Sequence, residues 1–207
     1  MRNKFIHGMV VAAVTVCAAS SSMANLVTNG DFEAGQVGWS GTMPIVNSIF
    51  AFGGGYAHSG NQIAVSFCIG HACVSTLGQG AFLGQTIATV NGGRYDLSFW
   101  VGESSGPDSE FSVFWNGVMV ADVLNPANNT LPTPGRSGYI QYTFTGLGAT
   151  GGTTYFEIHG RQDPDVMFFD DIAVEQSVGQ VPEPGSLALM GLSLAGLAVS
   201  TRRAKRG

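Results

Sequence analysis

The chain has 207 residues and a formal net charge of −5, and only 11% of its residues are charged. Six of its nine basic residues lie in the first four or the last six positions, so residues 25–181 carry three basic and 13 acidic residues, a net charge of −10. A segment of this charge excludes nucleic acid and anionic lipid surfaces as binding partners. Its 157 residues are enough for one domain with its own core.

The start of the chain has the three parts of an export signal. Two basic residues in the first four positions are followed by an apolar run over residues 9–19 and by the small-x-small sequence Ser22-Met23-Ala24. We therefore predict a signal peptide over residues 1–24 that signal peptidase removes, and an exported domain over residues 25–176.

Two cysteines, Cys68 and Cys73, remain in the exported part. A pair separated by four residues in an exported protein predicts a disulfide that closes a short loop. The alternative is a zinc site with His71 and His58 as further ligands, but a second cysteine pair is missing from the sequence.

Most of the domain alternates between apolar and polar residues, which indicates strands rather than helices. The alternation is clearest over residues 95–101, 111–115, 140–144, 155–158 and 168–174. Asn116-Gly117 has the sequence of a type I′ turn, and residues 51–60 and 125–138 have the composition of loops. This spacing predicts an all-β fold, an antiparallel β-sandwich of the jelly-roll type.

The sequence predicts no catalytic residues and no enzymatic activity. Residues 146–151 match the pattern G-x-G-x-x-G, but strand-like residues follow, so we interpret them as a turn and not as a phosphate site. The histidines His58, His71 and His159 have no nucleophile nearby in the sequence and are predicted to lie in loops or at the surface.

Three aromatic residues are candidates for stacking on a sugar ring. Trp39 follows a glycine in a loop, Tyr56 lies in the glycine-rich loop, and Trp100 lies opposite the apolar face of its strand. The alternative for Trp39 and Trp100 is packing beneath a loop. Trp115 shares a face with apolar neighbours and is predicted to belong to the core.

Three segments of the domain together resemble galactose-binding-like jelly rolls, including the carbohydrate-binding modules related to families 4, 9 and 22. The segments are residues 25–39, with the sequence Asn-Leu-Val-Thr-Asn-Gly-Asp-Phe-Glu at their start, residues 93–100 and residues 169–174. This resemblance implies the same fold and a carbohydrate as the ligand.

The same resemblance implies a structural calcium ion between the first and last strands. Its ligands would be Glu33 and Asp170 or Asp171, completed by backbone carbonyls, because calcium takes six to eight oxygens. Alternation places Asp170 on the face of Ile172 and Val174, where a buried carboxylate needs a partner or a metal. The alternative is that the two aspartates only form hydrogen bonds at the end of the strand.

The C-terminal end has three parts. Residues 177–184 form a linker that ends in Val181-Pro182-Glu183-Pro184, and residues 185–201 are uncharged and long enough, at about 25 Å of helix, to cross a bilayer. The basic residues Arg202, Arg203, Lys205 and Arg206 follow, and such a cluster stays on the cytoplasmic side. We predict a membrane helix over 185–201 and a cytoplasmic tail over 202–207.

This tripartite end resembles the PEP-CTERM sorting signal. The resemblance implies an exosortase as a partner, transient anchoring in the inner membrane, cleavage near Pro-Glu-Pro, and delivery to the cell surface or an extracellular polysaccharide matrix. The alternative is an ordinary C-terminal membrane anchor.

Together these features predict a non-catalytic surface or matrix protein that binds or structures extracellular polysaccharide. One alternative is a structural or adhesion protein without a defined sugar ligand. A second alternative, less favoured by the residues, is a hydrolase that acts on glycans.

Overall fold

A computed structural model describes five ranges of the chain, residues 24–66, 81–103, 109–125, 138–162 and 166–177. Several predictions fall outside these ranges: most of the signal peptide, the Cys68–Cys73 pair, the Pro-Glu-Pro segment, the membrane helix and the basic tail. Within the ranges, no helix has the length and apolar character that a bilayer crossing needs.

The described residues form ten strands and one short helix. In chain order these are β1 (Ser40–Gly41), β2 (Ile45–Asn47), α1 (Ser48–Phe52), β3 (Gln62–Ser66), β4 (Ala81–Ala88), β5 (Arg94–Glu103), β6 (Glu110–Trp115), β7 (Val118–Leu124), β8 (Ile140–Gly148), β9 (Thr153–Arg161) and β10 (Met167–Gln176).

The strands build two five-stranded sheets. The first has the order β1-β4-β9-β6-β7 and the second the order β2-β3-β10-β5-β8, and the neighbouring strands in both are antiparallel. Apart from the short β1 and β2, the order within each sheet is that of a jelly roll, in which the first long strand pairs with the last. The predicted all-β antiparallel sandwich is confirmed.

The core lies between the sheets and follows the alternation of the strands. In β5, Tyr95, Leu97, Phe99 and Val101 are buried, as their shared face predicts. Trp115 at the end of β6 is also buried, so its predicted place in the core is confirmed.

Two predicted turns are present. Asn116 and Gly117 both have positive φ, 52° and 73°, which is the geometry of a type I′ turn, and they join β6 to β7. The G-x-G-x-x-G segment begins within the end of β8, and the turn after it leads directly into β9, so no helix follows it. The phosphate site that this pattern can mark is absent from this turn.

The short helix α1 was not predicted by the sequence pattern, which is that of a loop. Asn47 caps its start by accepting hydrogen bonds from the N–H groups of Ile49 and Phe50, and Gly53, with φ of 72°, ends it. The helix and the turn after it cover a small second apolar cluster that includes Phe168. This segment therefore packs on the outer side of the second sheet.

A β-bulge in β10 changes the predicted orientation of Asp170. Asp170 lies opposite Trp100 and Ala173 lies opposite Ser98, so two residues of β10 oppose one residue of β5 between them. The extra residue reverses the alternation, and Asp170 points away from the face of Ile172. The prediction that they share a face was wrong, although Asp170 is fully buried as expected.

Candidate functional site

The first sheet presents a row of polar side chains on its outer side. Phe156 and Ile158 of β9 are buried in the core. Because neighbouring residues of a strand point to opposite faces, Tyr155, Glu157 and His159 lie on the outer side. The same alternation in the sequence turns Tyr155 away from the core residues of its strand, but Tyr155 was not among the three candidates for sugar binding.

Aromatic rings from the neighbouring strands flank this row. The Phe82 ring of β4 stacks on His159 with centroids 5.4 Å apart, and the Phe114 ring of β6 lies 4.8 Å from it. We call Phe82, Phe114, Tyr155, Glu157 and His159 together the Tyr155 face. It combines ring surfaces with hydrogen-bonding groups, which is the composition that suits a sugar.

Gly84 makes room for the tyrosine. A Cβ atom at this position would lie 2.4 Å from Tyr155 Oη and 2.9 Å from the carbonyl oxygen of Phe156. The ring of Tyr155 therefore lies over a gap in β4 that only glycine leaves open, and its orientation depends on that gap.

Two hydrogen bonds involve side chains of this row. Tyr155 Oη lies 3.3 Å from Ser40 Oγ, and His159 Nε2 lies 3.1 Å from Glu157 Oε2. Burial raises the pKa of Tyr155, the hydrogen bond with Ser40 lowers it, and the Glu157 carboxylate raises it. The net effect is a raised pKa, so this hydroxyl stays neutral and can both donate and accept a hydrogen bond.

His159 is 4% exposed, which corrects its predicted place in a loop or at the surface. Ser112 of β6 lies directly opposite it and is 0% exposed. Among the described residues, His159 Nδ1 and Ser112 Oγ have no hydrogen-bond partner. Buried polar atoms are normally paired, and both of these atoms are closed off from solvent, so an enclosed water and not a ligand on the outer surface would complete their contacts.

A second polar cluster lies on the outer side of the second sheet, around residues 57–61, which we call the His58 turn. His58 Nδ1 lies 2.5 Å from Asp171 Oδ2, and Ser59 Oγ donates to Asp171 Oδ1 at 2.5 Å. The Ser59 N–H donates to Asp170 Oδ2 at 3.0 Å. The two aspartates therefore fasten this turn to β10.

Ser59 and His58 contact separate oxygens of one carboxylate. A nucleophilic serine needs a base that takes the proton from its hydroxyl. Here the Ser59 hydroxyl donates to Asp171 and so holds the His58 turn against β10. We therefore interpret this contact as structural.

Trp100 lies beneath the His58 turn. The imidazole of His58 stacks on its ring at 4.0 Å with an interplanar angle of 16°, and Tyr139 meets the imidazole edge-on at 5.3 Å. Trp100 is half-buried and points outward as the sequence indicated, but one of its ring faces is taken by His58. Its role in sugar binding stays a prediction.

The other two aromatic candidates do not join Trp100 in one site. Trp39 is 7% exposed, and its Nε1 donates to the carbonyl of Asn29 at 2.8 Å, so the ring belongs to the core. Tyr56 stacks near Phe168 in the second apolar cluster. A core tryptophan has no free ring face for a sugar, which leaves Trp39 out of our proposal.

The three candidate calcium ligands all contact the His58 turn or the residues just after it. Besides the two aspartates, Glu33 Oε1 accepts hydrogen bonds from the N–H groups of Asn61 and Gln62, both at 2.7 Å. Within the described ranges, no group of three or more His, Cys, Asp or Glu residues is arranged to hold a metal. Calcium here would need backbone carbonyls for most of its ligands.

The environment of Asp170 is nevertheless one in which a bound cation would stabilise the ionised form of its carboxyl group. Burial raises its pKa to about 8; hydrogen bonds from backbone N–H groups oppose the rise, and the neighbouring Asp171 carboxylate adds to it. A bound cation would remove the cost of ionising this buried carboxylate. Calcium at Asp170 therefore stays a prediction.

Comparison with known proteins identifies the C-terminal end. A family model described as the PEP-CTERM protein-sorting motif matches residues 180–203. The chain therefore carries a motif that indicates an exported, exosortase-processed surface protein. No curated protein sequence matches the chain.

Several solved structures with similar folds are carbohydrate-binding modules. TmCBM61, solved in complex with β-1,4-galactotriose, has a TM-score of 0.51 at 15% identity, covering 74% of this chain and 99% of that one. The CBM22-1–CBM22-2 tandem domain of Paenibacillus barcinonensis Xyn10C has a TM-score of 0.49 at 13% identity, covering 82% of this chain and 49% of that one. The likeness to TmCBM61 shows that the two chains share a β-sandwich fold.

Proposed function

We propose that this protein is an exported, non-catalytic module that binds extracellular polysaccharide through the Tyr155 face. The observation that carries the proposal is the row of Tyr155, Glu157 and His159 between the rings of Phe82 and Phe114. Sugars present apolar C–H faces to aromatic rings and hydroxyls to carboxylates and hydroxyl groups.

Two further facts support a sugar ligand. The fold is shared with TmCBM61, whose structure contains β-1,4-galactotriose. The sorting motif at residues 180–203 directs the protein to the outside of the cell, where polysaccharide is available. Because fold alone does not fix function, the proposal depends on the residues of the face.

The test is affinity electrophoresis of the full chain, purified in a non-ionic detergent, in gels that contain a panel of polysaccharides. Retardation by at least one polysaccharide is expected, and Tyr155→Ala should remove most of it. Trp100→Ala is the matched comparison, because it removes an outward-facing aromatic ring from the other sheet.

The variants decide between the two faces. Binding that survives Tyr155→Ala and is lost in Trp100→Ala would move the site to the second sheet. Absence of binding to every polysaccharide, with a folded domain, would contradict the proposed function.

A structural or adhesion role is the second candidate, and one observation favours it. Strand β7 is the last strand of the first sheet, and its Val118 and Leu124 are 64% and 69% exposed. An exposed apolar edge strand is a place where another strand can pair. Concentration-dependent self-association that Val120→Lys abolishes would support this role.

A further inference from the structure

The Tyr155 face offers more hydrogen-bond acceptors than donors. The Glu157 side chain is 26% exposed, and an ionised carboxylate only accepts hydrogen bonds. His159 contacts this carboxylate through Nε2, and its Nδ1 is closed off from solvent, so the acceptors that a ligand can reach on this face are those of Glu157 and Tyr155. The face therefore suits a ligand that is rich in donors.

A second carboxylate lies at the edge of the same face. Asp122 of β7 is exposed and lies opposite Ser112, whereas at the ends of β6 and β9 the positive charge of Arg161 lies opposite the buried Glu110 and offsets it. Residues 25–181 as a whole have a net charge of −10. A polysaccharide with carboxylate or sulfate groups would be repelled by this surface, whereas one with positive charges would be attracted.

Aromatic rings add an attraction for positive charge. Phe82 and Phe114 flank the row, and Tyr155 lies at its end. The face of an aromatic ring attracts a cation within about 6 Å of its centroid. An ammonium group also carries three donors and no acceptor, which complements a carboxylate.

We propose that the Tyr155 face binds a polysaccharide that carries protonated amino groups, such as a partially de-N-acetylated hexosamine polymer. Glu157 accepts hydrogen bonds from the ammonium group, and Tyr155 and Phe114 contact the sugar rings. This inference depends on the proposed glycan-binding function and gives the chemical class of its ligand.

The test compares three polymers of similar length: partially de-N-acetylated chitin, fully N-acetylated chitin and an uncharged glucan. Binding of the full chain in non-ionic detergent is measured by isothermal titration calorimetry. Binding to the de-N-acetylated polymer should be strongest. Glu157→Gln should weaken it about tenfold, the change expected from loss of one charge-assisted hydrogen bond.

Glu175→Gln is the matched control, because it removes the same charge from an exposed position on the other sheet. It should leave the affinity within about twofold, since an exposed charge far from the ligand is screened by salt. Equal losses in Glu157→Gln and Glu175→Gln would show general charge attraction and overturn the proposal.

The remaining outcomes separate this inference from the proposed function. Tyr155-dependent binding of the N-acetylated or uncharged polymer, stronger than that of the de-N-acetylated one, would overturn the ligand class and keep the glycan-binding function. No binding of any of the three polymers, together with a failed polysaccharide panel, would overturn both.

Discussion

At the scale of single residues, the environment of Asp170 determines how stability should depend on pH. The carboxyl group is 0% exposed, faces the His58 turn and lies beside a second carboxylate. Its burial was predicted from the sequence. Its orientation was not, because the bulge that turns it outward depends on the pairing of β10 with β5 and not on the local alternation.

In the absence of calcium, stability should fall as the pH rises. The pKa of Asp170 is raised from 3.8 to about 8 in the folded state, so the folded protein holds this proton more tightly than the unfolded chain. The contribution to stability is complete below about pH 4 and is lost as the pH rises through about 8. Urea unfolding in chelator across this range should show the fall, and Asp170→Asn should reduce it. A wild-type stability that rises over this range would contradict the assignment.

Calcium should raise the melting temperature if it binds beside Asp170. At a calcium concentration about 100 times Kd, a ligand of the folded state adds about 2.7 kcal/mol. Differential scanning calorimetry with calcium and with chelator measures the effect, and Asp170→Asn should remove it while Glu175→Gln keeps it. A wild-type melting temperature that neither calcium nor chelator changes would count against a calcium site.

At the scale of elements, strand alternation predicts well which residues of each strand face the core. It predicts poorly which of the outward-facing residues form a binding site. Tyr95 and Phe99 of β5 are buried as predicted, because the core selects one side of every strand. The outer residues Tyr155 and His159 acquire their neighbours from β4 and β6, which are distant in the sequence. A single sequence does not contain that pairing, so the candidate site on this face was missed.

Gly84→Ala should destabilise the protein through β4. The added methyl group meets Tyr155 Oη and the backbone carbonyl of Phe156, and the backbone cannot move aside easily. Such overpacking costs about 1–3 kcal/mol. Thr86→Ala, two residues along the same strand and exposed, is the control and should change the free energy of unfolding by less than about 0.5 kcal/mol. Equal stability of Gly84→Ala and wild type in urea unfolding would mean that Tyr155 does not occupy this gap.

At the scale of the whole molecule, the first and last described residues of the domain lie close to each other. Asn25 forms hydrogen bonds with Ile172 and Val174, and Ala24 and Gln176 line one shared cavity. Ala24, where the predicted export signal ends, and Gln176, where the predicted domain ends, therefore lie close together. The sandwich itself was predictable from the spacing of strands and turns, whereas this proximity follows from the jelly-roll topology, in which β10, the last described strand, pairs with β3 near the start of the domain.

Processing should remove both terminal segments. The sorting motif at residues 180–203 predicts cleavage near Pro182-Glu183-Pro184, and the small-x-small sequence predicts cleavage after Ala24. Intact mass spectrometry of the protein from the cell surface or medium of a host with an exosortase should show both losses. A surface form that keeps its basic tail would contradict exosortase processing.

The measurement that tests the central claim most directly is hydrogen–deuterium exchange of the protein with and without a polysaccharide that it binds. Peptides from β4, β6 and β9 should gain protection, because the Tyr155 face lies on these strands, while peptides from β5 and β8 should not change. Protection confined to β5, β8 and the His58 turn would contradict our account and place the ligand on the second sheet.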